Sequence, residues 1–349
     1  MSTNKSVYKY VDLFKLFLAI VIILMHLNMF EHLPFGQLLK TATARLGVKY
    51  FFLASGFFFT KSLYTDGELS CGKDAVYSKL KKYVKRLAVM LAVMEPINIV
   101  LRVVEYFLDG VEAKEILIRA VRSVVFYPWG ALWFLQACIV AALIITPFIV
   151  RRKEELLIVP ALVIYALLLL FNRYFFLIEG TAFGNAAETI TRAVGSTRNG
   201  LTVGFPFMLA GVLIAKHRQS LFRRLTVIRA VTIISWIGLL AESAATESLP
   251  GLDDRGMFIC LIPLIPALFV TTATIPFGLK KDTVTARNLS TSIYLLHSPI
   301  YSLVTIFQIL LLKSSSGSAA KAAAVIVLIA ITVAVVYRNR DSKAFHYLT

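Results

Sequence analysis

The run from Val11 to Phe30, VDLFKLFLAIVIILMHLNMF, constrains the fold more than any other stretch. Between Phe14 and Met29 its only strongly polar groups are Lys15, His26 and Asn28. About 20 apolar residues at about 1.5 Å rise each cross a bilayer, so the run reads as a transmembrane helix. Lys15 can snorkel back to the near interface. His26 has too short a stem to do so. It lies about 16 Å further along the axis, where an imidazole has to face protein or a wet cavity. The remaining chain must therefore form a bundle that supplies such a cavity.

The composition agrees. Of 349 residues, 58% are hydrophobic and 16% charged, against about 25% charge in soluble domains. Apolar stretches recur at roughly 11–30, 46–64, 87–107, 131–150, 156–176, 200–215, 227–244, 257–275, 290–312 and 322–337. The predicted fold is an all-α, polytopic transmembrane bundle of about ten spans, one domain over 1–349, with both termini cytoplasmic. The connecting charges fit that orientation. The segments expected inside (1–15, 61–86, 151–155, 216–229, 276–289 and 338–349) sum to +16, while those expected outside (31–45, 104–129, 172–200, 241–257 and 313–321) sum to zero. Short inner loops carry the excess of Lys and Arg in membrane proteins. The net charge of +17 thus orients the chain and meets anionic membrane lipids; it does not point to nucleic acid.

Cys71, Cys138 and Cys260 have neither paired nor metal-site spacing. The first run is too long for a cleavable signal, and no small-residue cleavage site follows it. Segment 313–321, KSSSGSAAK, reads as a flexible link. No stretch reads as a soluble catalytic domain, so any chemistry happens within or beside the bundle.

Polar residues inside the spans are the candidates for chemistry. Asp12 and Lys15 are three apart and can pair on one helix face. Lys15 and His26 share a seam, because eleven residues make about three turns. Lys15 suits an anionic ligand at the inner mouth, and His26 suits taking a proton from a hydroxyl. Their plainer reading is an anchor lysine and a packing histidine. Ser55 and Gly56 interrupt the aromatic wall KYFFLASGFFFTKSL, either as a helix-packing point or as a slot for an acyl chain. Glu95 precedes Pro96 with Arg102 seven residues on, as half of an internal ion pair or as a polar lining residue. Gln136 sits one turn deeper than Trp133 and needs a hydrogen bond. Arg198 and Asn199 lead into a glycine-rich span, where Arg198 can meet an anionic or carbonyl group or a headgroup phosphate. Tyr294 and His297 share one face just before Pro299. The other histidines, His32, His217 and His346, fall in connections or the tail. No third close Cys or His completes a metal site, and no GxSxG, P-loop or dinucleotide pattern is present.

Together these blocks resemble a known family. Asp12-x-x-Lys15, ten residues, then His26 resembles the first-span motif of the membrane-bound acyltransferase family 3, the bacterial O-acyltransferases. YFFLASGFFF at 50–59, LWFLQACIV at 132–140, RNGLTVGFPFMLAGVLI at 198–214 and LSTSIYLLHSPIY at 289–301 are similar to later family blocks in the same order. The chain is similar also to the membrane domain of vancomycin-resistance serine racemases, without the racemase half. The resemblance implies a ten-helix bundle that draws acyl groups from cytoplasmic acyl-CoA and delivers them to acceptors at the outer face. It places His26 at the family's essential histidine. Lys15 falls where the family usually has arginine, and so offers phosphate a point charge rather than a planar fork.

The implied reaction is O-acyl transfer, most simply acetyl, to a hydroxyl of an envelope glycan or other small acceptor. Acyl-CoA is then a co-substrate, with no tightly bound cofactor. Lys15, Lys82, Lys85 and Arg86 would hold the CoA phosphates, and Ser55 and Gly56 the acyl slot. His26 would be the base, with Asp12 orienting Lys15. Gln136, Arg198, Asn199, Tyr294 or His297 would serve the acceptor or oxyanion side. A transporter of a small polar solute such as serine is the alternative on the same scaffold, and a non-catalytic scaffold for wall assembly a third. The sequence does not fix the oligomeric state.

Overall fold

Backbone in lipid has to satisfy its own hydrogen bonds, which drives apolar runs into helices. The computed structural model describes residues 8–31, 33–252, 256–276, 283–312 and 319–339 and is almost entirely helical. Its helices are α1 Lys9–His26, α2 Gly36–Ala42, α3 Ala44–Thr60, α4 Lys73–Leu108, α5 Ala113–Val125, α6 Trp133–Val150 and α7 Ile158–Leu170. They continue with α8 Ala182–Val194, α9 Phe205–Lys216, α10 Arg218–Arg223, α11 Leu225–Ala245, α12 Leu261–Ala273, α13 Val284–Leu312 and α14 Ala319–Arg338. A small hairpin, β1 Tyr64–Thr65 with β2 Glu68–Leu69, joins α3 to α4. The expected cytoplasmic tails before Tyr8 and after Asn339, most of the link 313–321, His32 and His346 lie outside the described residues.

Among the described residues five stretches are long and apolar enough to cross a membrane: α4, Ala113–Val150 (α5 with α6), α11, α13 and α14. The chain is therefore a membrane-embedded, multi-pass protein. The expectation of ten full-length spans is corrected. Helices α3, α7, α9 and α12 have only 17, 13, 12 and 13 residues. Helix α1 has 18 residues but carries Lys9, Asp12 and Lys15. The first span also stops at His26 instead of running on to Phe30. There Leu27 N–H donates to Ile23 O (2.9 Å) and Met29 N–H to Leu24 O (3.0 Å). Asn28 turns left-handed at φ 55, a conformation asparagine takes at low cost.

Two of the connections are more ordered than a plain polar reading suggests. Helices α5 and α8 lie within the outer segments 108–129 and 172–200, and each is amphipathic. On α5, Leu117, Val121 and Val124 form an exposed apolar stripe, as an interfacial helix requires.

Helices α3 and α9 pack at close range. A Cβ on Gly56 would stand 2.9 Å from the Met208 carbonyl carbon and nearer still to its oxygen; a Cβ on Gly211 would stand 2.7 Å from Phe57 N. Small residues thus let the two backbones meet. A large aromatic and aliphatic core surrounds this contact, with Tyr50, Phe52, Phe57, Phe205 and Phe269 fully buried. A second core joins α1, α4, α13 and α14 through Ile23, Met90, Met94, Leu295 and Val325.

The basic connections converge on one end of the bundle, where α1 begins. Lys61 lies over the Tyr8 ring (4.8 Å). Tyr64 Oη donates to Glu154 (3.0 Å), and Lys216 Nζ reaches Glu154 (3.1 Å) and Glu155 (2.9 Å). Gln219 donates to Asp66, Thr283 to Asp12 (2.9 Å), and Thr285 bonds Tyr337 (2.9 Å). The opposite end is tied by Arg173, which is 3% exposed. Its guanidinium donates to Thr246 Oγ1 (2.5 Å) and Ser243 O (2.8 Å) and stacks on Phe258 (4.7 Å). Arg173 is thus an internal clasp. Among the described residues, the connections 61–86, 151–155 and 216–229 thus meet one another, and 172–200 meets 241–257 around Arg173.

Candidate active site

His26 closes α1, and its ring stacks on that of His297 from the middle of α13, with centroids 5.4 Å apart and planes 23° apart. The two intramembrane candidates therefore meet. Together with Ile23, Leu27, Arg102, Gly130, Ser298, Tyr301 and Val325 they line a partly open cavity of about 210 Å³ inside the second core. His297 is buried, whereas His26 is exposed toward the open side. His26 is thus not sealed in dry packing.

The backbone of α13 fixes His297. Its Nδ1 donates to Tyr294 O (2.8 Å) and Ile293 O (3.3 Å). A carbonyl can only accept, so Nδ1 carries the hydrogen and Nε2 is the nitrogen able to take a proton. Tyr294 lies beside the same ring (5.8 Å) and packs edge-on against Phe51 (5.6 Å) and Phe134 (5.5 Å). Trp133 continues this aromatic wall, stacked on Tyr127 (5.6 Å) and with Arg198 over its ring (6.0 Å).

A glycine shapes the opposite wall. Gly130 has φ +64, and a Cβ there would fall 2.5 Å from Ser298 Cβ and closer to its Oγ. Only a residue without a side chain lets this corner touch α13. Trp129 N–H next to it donates to Glu95 Oε1 (3.3 Å). The expected Glu95–Arg102 pair is not formed: Arg102 holds Glu105 instead (3.2 Å), three residues along its own helix. Glu95 serves as a polar anchor for the corner.

The remaining sequence candidates divide between two places. At the basic end Asp12 is buried and Lys15 half-buried, and the charges of Asp12, Arg287 and Arg86 all bear on Lys15. Lys82 and Lys85 stand exposed on α4 beside Arg86. Asp12 and Lys15 do not join the histidine cavity, which lies about 16 Å further along α1. Ser55 Oγ bonds Tyr83 Oη (2.6 Å), with Cys138 Sγ at 3.8 Å, while Gly56 is the α3–α9 contact described above. Gln136 donates to Val125 O (3.4 Å), apart from the cavity lining. Asn199 caps the π turn Gly200–Gly204: its Oδ1 accepts from Leu201 N (2.9 Å) and Thr202 N (3.1 Å), and Thr202 Oγ1 accepts from Asn199 N (3.1 Å). Sequence reasoning missed Gly130, Ser298, Tyr301 and the site role of Arg102. The serine and tyrosine carried a signal, as polar groups one turn apart next to His297.

Among the described residues no group of three or more His, Cys, Asp or Glu is placed to hold a metal ion. The geometry defines a multi-pass helical membrane protein with a histidine-lined, partly open cavity beside the C-terminal end of α1 and a basic cluster beside its N-terminal end. A family model described as an acyltransferase domain, acyltransferase family 3, matches residues 8–338, and the chain belongs to that family. Membership and the membrane-spanning helices together give it a membrane acyltransferase-type function. No curated protein and no solved structure matches the chain.

Proposed function

We propose that the protein is a membrane-bound O-acyltransferase that moves an acyl group, most simply acetyl, from cytoplasmic acyl-CoA to a hydroxyl of an extracytoplasmic envelope glycan or other small acceptor. The stacked pair of His26 and His297 on an open cavity carries this reading. In it, the basic end faces the cytoplasm of a plasma or inner membrane, residues 8–338 act as one unit, and ten helices connect the two sides, the shorter ones in a locally thinned bilayer.

At the basic end Lys15, Arg86 and Arg287 attract the CoA phosphates, with Lys82 and Lys85 at the rim. The hydroxyls of Tyr83 and Ser55 and the Cys138 thiol mark a polar thread from there toward Tyr294. At the cavity His26 accepts the acceptor's hydroxyl proton as the oxygen attacks the thioester carbonyl. The C–S bond then breaks, and the thiolate takes that proton back from His26 to leave as CoA thiol. Tyr294 or Arg198 donates on the side where the oxyanion develops.

The test uses membranes carrying the full chain and labelled acetyl-CoA. Label arriving on envelope material supports the enzyme. No transfer, with saturable solute flux in liposomes lacking any acyl donor, overturns it in favour of a carrier.

A further inference from the structure

Four buried polar residues take no part in acyl transfer as described. Glu95 and Asn98 on α4 are 7% and 0% exposed, and Ser298 and Ser302 on α13 are 4% and 0% exposed. Among the described residues Glu95 Oε2, both polar atoms of the Asn98 amide and both serine hydroxyl oxygens have no hydrogen-bond partner. Other hydroxyls of α13 donate to a carbonyl one turn back, Ser292 to Asn288 O (3.1 Å) and Thr305 to Tyr301 O (2.8 Å). Ser298 and Ser302 do not. Buried polar groups are almost always satisfied, so these orphaned ones need a reason.

The fold draws the two pairs toward one place. Asn98 follows Glu95 by three residues and Ser302 follows Ser298 by four, so each pair shares a helix face. Helices α4 and α13 pack on each other, and the corner before α6 bridges them. Trp129 N–H donates to Glu95 Oε1 (3.3 Å), and a Cβ on the adjoining Gly130 would fall 2.5 Å from Ser298 Cβ. Ser298 lines the histidine cavity, but Glu95, Asn98 and Ser302 do not. The polar patch therefore lies behind the cavity wall, not within the cavity.

The chemistry of the patch selects its ligand. Among the described residues no cationic side chain pairs with Glu95; Arg102, about two turns on along α4, holds Glu105 (3.2 Å). A buried carboxylate without a counter-charge is costly. A proton would neutralise it but leave the serine oxygens as they are. A cation would engage Glu95 Oε2, Asn98 Oδ1, Ser298 Oγ and Ser302 Oγ at once, and the Asn98 amide nitrogen can donate to the same carboxylate. Oxygen ligands suit a hard ion, and one carboxylate balances one positive charge. No group of three or more His, Cys, Asp or Glu stands here to favour a divalent or transition metal. We propose that Glu95, Asn98, Ser298 and Ser302 bind a monovalent alkali cation, which neutralises Glu95 and pins the Trp129–Gly130 corner against α13. The site stands apart from the acyl-transfer reading.

The test needs no acyl donor. The full chain in nanodiscs of neutral lipid is melted in NaCl, KCl and choline chloride at equal ionic strength, and Na⁺ binding is followed by sodium NMR line broadening. The expected result is a saturable rise in melting temperature with Na⁺ or K⁺ over choline, as for any ligand of the folded state. The rise should vanish in Glu95→Gln, and its half-saturating concentration should increase at least about tenfold in the gentler Ser302→Ala, the loss of one oxygen ligand. A wild type that melts alike in all three salts overturns the site, and Glu95→Gln as stable as wild type would then place a proton on the carboxyl. A response unchanged in either variant, or one given by Mg²⁺ and by neither alkali ion, also overturns it.

Discussion

Replacing Gly130 by alanine probes the wall of the cavity directly. Two costs are separable. The left-handed φ of +64 costs a residue with a Cβ about 1–2 kcal/mol. The new Cβ also lands 2.5 Å from Ser298 Cβ, and overpacking of this kind costs about 1–3 kcal/mol. Gly130→Ala should therefore lose about 2–5 kcal/mol. Gly110 supplies the control: it has φ +77, and a Cβ there would meet nothing within 4 Å, so Gly110→Ala should lose only the first part. Ser298→Gly opens the space that the methyl needs, so the pair Gly130→Ala with Ser298→Gly should recover about 1–3 kcal/mol as a coupling energy. Apparent melting temperatures in detergent give the ranking, and label transfer from acetyl-CoA gives the functional effect, expected to fall further in Gly130→Ala than in Gly110→Ala at a temperature where both are folded. Equal losses for the two glycines, with no recovery in the pair, would refute the close contact and with it the shape of the cavity.

Other consequences follow from the same contacts. Gly211→Leu should prevent accumulation of folded protein, because its side chain would enter the α3 backbone; normal yield and melting on a sizing column would contradict the α3–α9 packing. Lys216→Met should cost about 3 kcal/mol by leaving Glu154, 1% exposed, with Tyr64 as its remaining partner among the described residues, while Arg152→Met, whose partner Glu68 is exposed, should change stability by less than about 0.5 kcal/mol. Hydrogen bonds from Lys216 and His217 hold the Glu155 carboxyl below its ordinary range. Its contribution is therefore present above about pH 4 and lost as pH falls through the lowered folded value. Melting curves of wild type and Glu155→Gln should separate at neutral pH and converge in acid, more weakly in high salt.

Parts of this were legible in the sequence and parts were not. The motif from Asp12 to His26 and the later blocks pointed to the family that the chain belongs to. Charge placement is local information, and the basic connections 61–86, 151–155 and 216–229, expected on one side, do meet one another. Helix ends were misread where a single residue decides them: Asn28 stops α1 at His26 although the apolar run continues. Partner choice was the least legible. Arg102 takes Glu105, three residues along its own helix, while Glu95 accepts from the Trp129 N–H. Asn199 was expected at the acceptor side and is occupied in capping a π turn, a role set by the Thr202 hydroxyl three residues on. The stacking of His26 on His297 joins residues nearly a chain length apart, and no spacing rule reaches that far.

The central claim is that the stacked histidines are where acyl transfer occurs. The most direct measurement is the rate of label transfer from acetyl-CoA by His26→Ala, beside Lys82→Ala from the exposed rim of α4, in membranes with matched amounts of folded protein. The account predicts a loss of about 10²–10⁴ for the histidine and at most a weakened acyl-CoA KM for the lysine. Transfer by His26→Ala within a few-fold of wild type would contradict it.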